Sequence, residues 1–237
     1  GWLQLNYKPP TEKEIASKPS NIVSFSLKKI EVEKNKITPP TKVEEAPIRK
    51  KIKIEKGIPP DAPVEMLPAP DPELITESDF GPLPKISEDG REPWKIYARP
   101  YNIDNKRPKI AVLLAGLGLS EGATNIAIQE LPGSITLSFT PYAPRLEEWI
   151  DLSRAAGHEV ILELPMESFD YPSSDPGPHT LLTSLEPEKN IERLNFLLSR
   201  FTGYVGVTNF LGDKFSEDTE SLKPILEELR RRGLLLL

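Results

Sequence analysis

From residue 110 onward, short apolar runs alternate with stretches of helical period, and this alternation restricts the chain to a parallel sheet joined by crossover helices. Residues 110–114 are continuously apolar, as expected of a strand buried on both faces. Ser120 then reads as the N-cap of a helix carrying Ala123, Ile126, Ala127 and Leu131 at helical spacing, closed by Pro132-Gly133. Further strands are predicted at 135–139, 160–164 and 204–207, and a fifth at 234–237. Pro144 opens a helix with Leu146, Trp149 and Ile150 on its apolar face and Gly157 at its end. Pro187 opens the next, with Ile191, Leu194, Leu198 and Phe201 in line. Ser216 is expected to cap a last helix whose buried stripe is Leu222, Ile225, Leu226 and Leu229, with arginines in its final turn and Gly233 beyond it. Residues 165–184, with Pro165, Pro172, Pro176 and Pro178, read as a long polar loop.

Upstream, no such period survives. Most of the chain's 26 prolines lie at or before Pro108, with Lys and Glu between them. A stretch of this kind buries too little apolar surface to offset the entropy of ordering its backbone, and proline also removes amide donors. Residues 1–108 are therefore expected to be a disordered tether, and residues 109–237 the folded domain. Within the tether, residues 49–56 (RKKIKIEK) form a basic run read as a solvated charge stretch. Residues 61–90 read as acidic linker, and residues 93–97 as a short strand or edge contact.

The net charge of −6 speaks against a nucleic-acid partner, since nucleic-acid binders carry a basic stripe. The absence of cysteine excludes disulfides and thiolate metal sites. The chain opens on Gly1, so contact with a membrane is expected only through a segment upstream of it. It closes inside an apolar run that would begin a buried strand, so the domain is expected to be incomplete at its C-terminal side.

In parallel sheets of this class the chemistry lies at the C-terminal ends of the strands. The first such end is Ala115-Gly116-Leu117-Gly118. With Gly122 it approaches a dinucleotide fingerprint, but the second strand ends in Phe139-Thr140-Pro141, without the acid that holds a ribose. A tight turn requiring small residues is the simpler reading. Glu163 and Glu167 flank Leu164-Pro165-Met166, and carboxylates there are candidates for acid/base work or cation ligation. Asp213 is a third candidate. Tyr142, Asn209 and His179 are candidate substrate contacts. His158 precedes a strand and reads as a packing residue. Two isolated histidines do not make a transition-metal site, and no serine has an evident histidine partner.

Four stretches carry a resemblance: residues 110–120 (IAVLLAGLGLS), 155–167 (AAGHEVILELPME), 175–182 (DPGPHTLL) and 205–215 (VGVTNFLGDKF). In this order they resemble the divergent polysaccharide deacetylases of bacteria, over slightly more than half of the chain. The resemblance implies a deformed β/α barrel related to metal-dependent enzymes that remove N-acetyl groups from glycans. It also implies a periplasmic or cell-envelope protein with an N-terminal anchor and a proline-rich tether. Where the family carries Asp-Asp after its first strand, this chain has Ala115-Gly116. The family's histidine before Leu-Pro-Met-Glu is replaced by Glu163, and that of its Asn-His-Met-Gly word by Phe210. No metal ligands are therefore carried over and no cofactor is expected. The expected function is binding of a glycan or an envelope protein on a scaffold whose metal site has degenerated. The alternative is an active N-deacetylase with a rearranged site, and only that alternative calls for zinc or another divalent ion.

Overall fold

The computed structural model describes residues 64–101, 108 and 110–237. The basic run at 49–56 and the greater part of the expected tether lie outside these residues. The chain begins here with a 3-10 turn, Pro72–Leu74, capped by the Asp71 carboxylate. Strands β1 (Ile75–Ser78) and β2 (Gly81–Pro84) follow as an antiparallel hairpin, and then a short helix, α1 (Pro93–Ile96). A five-stranded sheet comes next: β3 (Leu113–Leu117), β4 (Thr136–Phe139), β5 (Val160–Met166), β6 (Gly206–Leu211) and β7 (Leu235–Leu236). Its connections carry α2 (Glu121–Glu130), α3 (Leu146–Ala155), α4 (Pro187–Leu198), α5 (Asp213–Glu217) and α6 (Thr219–Arg231). All neighbouring strands are parallel and lie in chain order, β3 to β7. Since such crossovers are right-handed, a sheet wound in one direction carries its helices on one face, as in the wall of a barrel.

The core is the face of the sheet against those helices. Leu137, Phe139, Leu162, Leu164 and Val207 from the strands pack with Trp149, Leu194, Leu197, Ile225 and Leu229 from the helices. Strand β5 is central and buried along its whole length. The first strand departs from expectation. It begins at Leu113 rather than residue 110, where Ile110 is 90% exposed, and all but the last of its residues are exposed. It is an edge strand, so its apolar run is not buried on both faces. The last helix also differs. Ser216 lies inside the short α5, and the helix that carries the buried Ile225 and Leu229 is capped by Asp218, which accepts from the Ser221 N–H at 2.7 Å. Asp218 wins because it stands immediately before the first helical residue, Thr219, where its carboxylate meets an N–H of the first turn.

The larger correction concerns residues 64–101, read from composition as tether and linker. Their prolines punctuate a hairpin and a 3-10 turn, and residues 93–97 are helical rather than extended. Leu74 and Tyr97 are buried in a second cluster with Ile161 of β5 and Val205, so this segment closes apolar surface that the sheet would otherwise expose. Buried arginines fasten it. Arg154 Nη1 donates to the carbonyls of Gly203 (2.8 Å) and Tyr97 (3.3 Å), and its Nη2 to that of Leu67 (2.6 Å). Arg232 Nη1 donates to the Pro84 carbonyl at 3.0 Å and its Nη2 to Asn195 Oδ1 at 3.0 Å.

The turn after β3 needs its glycines. Gly116 and Gly118 both have positive φ, 81° and 102°, and a Cβ on Gly118 would overlap that of Ala143. Gly118→Ala combines left-handed strain with a backbone-level clash, so it is expected to cost about 2–3 kcal/mol. A urea titration followed by circular dichroism checks this; a loss below the usual surface range of about 0.5 kcal/mol would contradict the tight-turn reading.

Candidate functional site

Glu163 does not stand at a strand end. Strand β5 runs on to Met166, and Glu163 is an interior residue of it, only 2% exposed. Its Oε1 accepts the backbone N–H of Gly116 at 2.5 Å, which ties the end of β3 to β5 across the intervening β4. Ser138 of β4 lies beside the carboxyl, near enough to pull its pKa down, although Ser138 Oγ is buried and makes no hydrogen bond of adequate geometry. Burial is the larger influence and pushes the Glu163 carboxyl above its usual range.

This arrangement has a pH signature. A carboxyl whose folded pKa exceeds its unfolded one binds more protons when folded, so its contribution to stability is complete below about pH 4.5 and is lost as pH rises through the folded value. Glu163→Gln keeps an oxygen for the Gly116 N–H and adds an amide donor for Ser138. The variant is expected to be more stable than the parent at neutral pH by about 1 kcal/mol and to lack that downward slope. Thermal melts of both proteins from pH 4 to 8 measure the difference, and parallel curves would mean that burial does not raise the Glu163 pKa.

Glu167 follows β5 directly. Its side chain is nearly closed off from solvent, and three groups donate to it: Thr183 N–H (2.7 Å), Thr183 Oγ1 (2.7 Å) and Lys214 Nζ (2.6 Å). Burial by itself would raise this carboxyl's pKa, but Lys214 and the Thr183 donors outweigh it and the net shift is downward. Asp213, the first residue of α5, accepts the Phe169 N–H at 3.2 Å. Glu167 and Asp213 thus hold opposite ends of one connection, the loop from residue 168 to Thr183, against β5 and α5. Asn209 is exposed, and its Nδ2 donates to the Leu211 carbonyl at 2.6 Å. Tyr142 and His179 are brought together: the His179 N–H donates to the Tyr142 hydroxyl at 3.1 Å, and the rings, inclined at 29°, have centroids 6.4 Å apart. His158 is buried with its two ring nitrogens facing the carbonyls of Ile135 and Ile128, a packing role.

The sequence-predicted residues therefore form three separate groups and no single cluster. Glu163 is joined to Gly116, Glu167 and Asp213 to the β5–α4 connection, and Tyr142 to His179. Among the described residues, no group of three or more His, Cys, Asp or Glu side chains is placed to hold a metal ion. Among these residues the donors a divalent metal would need are not assembled. Sequence reasoning missed Thr183 and Lys214, although Lys214 stands next to Asp213 in the word that carries the resemblance. It also missed Phe80, Arg193 and Phe196 around His179. Arg193 and Phe196 are three residues apart on α4 and hence on one face, but nothing in the sequence joins Phe80 to them.

The model of the divergent polysaccharide deacetylase family matches residues 112–237, more than half of the chain. The chain belongs to that family. A relative in Escherichia coli K12, the uncharacterized protein YibQ, is 24% identical over 130 residues, which are 54% of this chain and 40% of that protein. Among solved structures, the uncharacterized protein ATU2773 of Agrobacterium tumefaciens C58 is similar, with a TM-score of 0.64 and 38% identity over 66% of this chain and 63% of that one. The chain spans less than two thirds of the length of either. The family fold is thus supported by sequence and by structure: the parallel sheet with helices is what the alternation of residues 110–237 predicts, and its deacetylase type is what the resemblance implies.

Proposed function

We propose that this deacetylase-family chain works in the cell envelope as a glycan- or partner-binding protein rather than as a metal-dependent hydrolase. The supporting observation is the Gly116 N–H to Glu163 bond. By the family resemblance, these two positions are ones at which a carboxylate and an imidazole would otherwise be free for a metal. Here they satisfy one another, so the site is closed by a protein contact and its remaining carboxyl is buried. Burial that raises the pKa of this carboxyl also disfavours ligation of a divalent cation, since the ligand must be in its charged form. Binding would instead use the Tyr142–His179 pair, with Glu167 and Asp213 holding the loop that carries His179, and the exposed Asn209 as a separate contact. Placement in the periplasm or at the membrane rests on the family resemblance and the proline-rich leader. Among the described residues no helix is long and apolar enough to cross a membrane.

Two measurements on the full chain test this reading. Metal content by inductively coupled plasma mass spectrometry is expected to fall well below one divalent ion per chain, and no acetate should be released from N-acetylglucosamine oligomers. Retention of such an oligomer without turnover supports the binding role. Stoichiometric zinc together with acetate release would replace it with the alternative, an active N-deacetylase with a rearranged site.

A further inference from the structure

One face of α4 lines a cavity of about 340 Å³, within the size range of small-molecule sites. Lys189, Glu192, Arg193 and Phe196 recur there at helical spacing, and His179 and Phe80 close the sides. Phe80 comes from the β1–β2 turn, so the hairpin read from composition as linker supplies one wall. Its ring meets Phe196 edge-on at 6.3 Å, and His179 stacks on one face of Phe196 with ring centroids 3.7 Å apart. The walls are thus aromatic, a surface on which the apolar face of a sugar ring can pack.

The polar groups favour negative charge. Lys189 is paired with Glu192 at 2.7 Å, which leaves Arg193 as the uncompensated charge of the lining; one of its N–H groups is engaged by the Thr180 carbonyl. The Arg200 guanidinium lies 5.7 Å from the Phe196 centroid and adds to the same field. His179 registers that field: burial first, then Arg193 and Arg200, push its pKa below the ordinary value, so its ring is neutral. Its Nδ1 is buried and has no hydrogen-bond partner, an unsatisfied polar atom at the wall of the cavity.

We propose that this cavity is a subsite for an acidic saccharide, a sugar ring that stacks on the Phe80–Phe196 wall and carries a carboxylate toward Arg193 and Lys189. The site deepens the glycan-binding reading and rests on it. It lies on the helix flank and does not use the Gly116–Glu163 contact.

The test is a titration of the full chain with galacturonic acid trimer and with the neutral galactose trimer, followed by calorimetry and by proton NMR of the imidazole signals. With only two histidines in the chain, the His179 signals are readily told from those of the buried His158. The acidic trimer is expected to bind at least 10-fold more tightly than the neutral one, more weakly as salt is raised, and to shift the His179 signals. Arg193→Gln should weaken it about 10-fold. Because Arg193 also holds the Thr180 carbonyl, the exposed Lys189→Gln serves as a second variant, with a smaller loss expected. Binding of the acidic trimer without a His179 shift, and unchanged in both variants, overturns this subsite while glycan binding stands. Failure of the acidic trimer alone, with an N-acetylglucosamine oligomer still bound, does the same. Failure of both ligands overturns the subsite and the glycan reading together.

Discussion

Arg154→Ala is expected to lower the stability of the folded unit by about 3–4 kcal/mol. The side chain is 7% exposed, and its guanidinium lies 5.1 Å from the Tyr97 ring centroid while serving the carbonyls of Leu67, Tyr97 and Gly203. Among the described residues no carboxylate lies within ion-pair distance of it, so carbonyl dipoles and the aromatic face carry its charge. Truncation leaves three acceptors without their donor and opens a void between α3 and the preceding segment. Arg154→Lys keeps a charge but replaces a planar fork with a point donor, and it should recover less than half of the loss. Urea denaturation measures the magnitude. Limited proteolysis locates it, because residues 64–101 should become cleavable in the variant before the sheet does. Equal protection of that segment in both proteins would mean that Arg154 does not fasten it.

Glu167→Ala is expected to cost about 2–4 kcal/mol, and most of that through Thr183. Lys214 is 41% exposed, and a half-exposed ion pair contributes little, so Lys214→Ala should cost no more than about 1 kcal/mol. The Thr183 N–H is different. Its acceptor is the buried carboxylate, and losing it leaves a backbone donor unpaired. The pH dependence runs opposite to that of Glu163. With its folded pKa lowered, Glu167 contributes stability above its unfolded pKa, near 4.5, and loses it as pH falls through the folded value. The parent should therefore weaken on acidification in a step that Glu167→Ala lacks. Comparable losses for the two substitutions would mean that the ion pair, and not the loop anchor, is what matters.

The parallel sheet was legible because buried strands and amphipathic helices leave periods that no other architecture satisfies. Val160, Leu162 and Leu164 announce β5 without ambiguity. The edge character of β3 was not legible, since an apolar run looks the same whether or not a layer covers both sides of it. Nor was the hairpin at residues 75–84. Its strands are only four residues each and contain Pro82 and Pro84, and its stability comes from Arg232, whose partner carbonyl is 148 residues distant. Composition registers prolines but not the tertiary contacts that make them tolerable. At the candidate site, the sequence put Glu163 at the end of its strand, whereas β5 runs on to Met166, and it could not tell that the Glu163 carboxyl is taken up in a closed contact. That depends on Gly116 approaching from two strands away, with φ in the left-handed region.

The clasp made by residues 64–101 also sets an order of events during synthesis. This segment leaves the ribosome ahead of the sheet, and Val205 and Arg232, on which it settles, emerge long after it. Contacts so distant along the chain must close a long loop before they return any energy, which slows the search. Leu74 and Tyr97 therefore wait without their burial sites until Val205 has emerged. The nascent chain carries its own latch in the open position until β6 and α6 have been made.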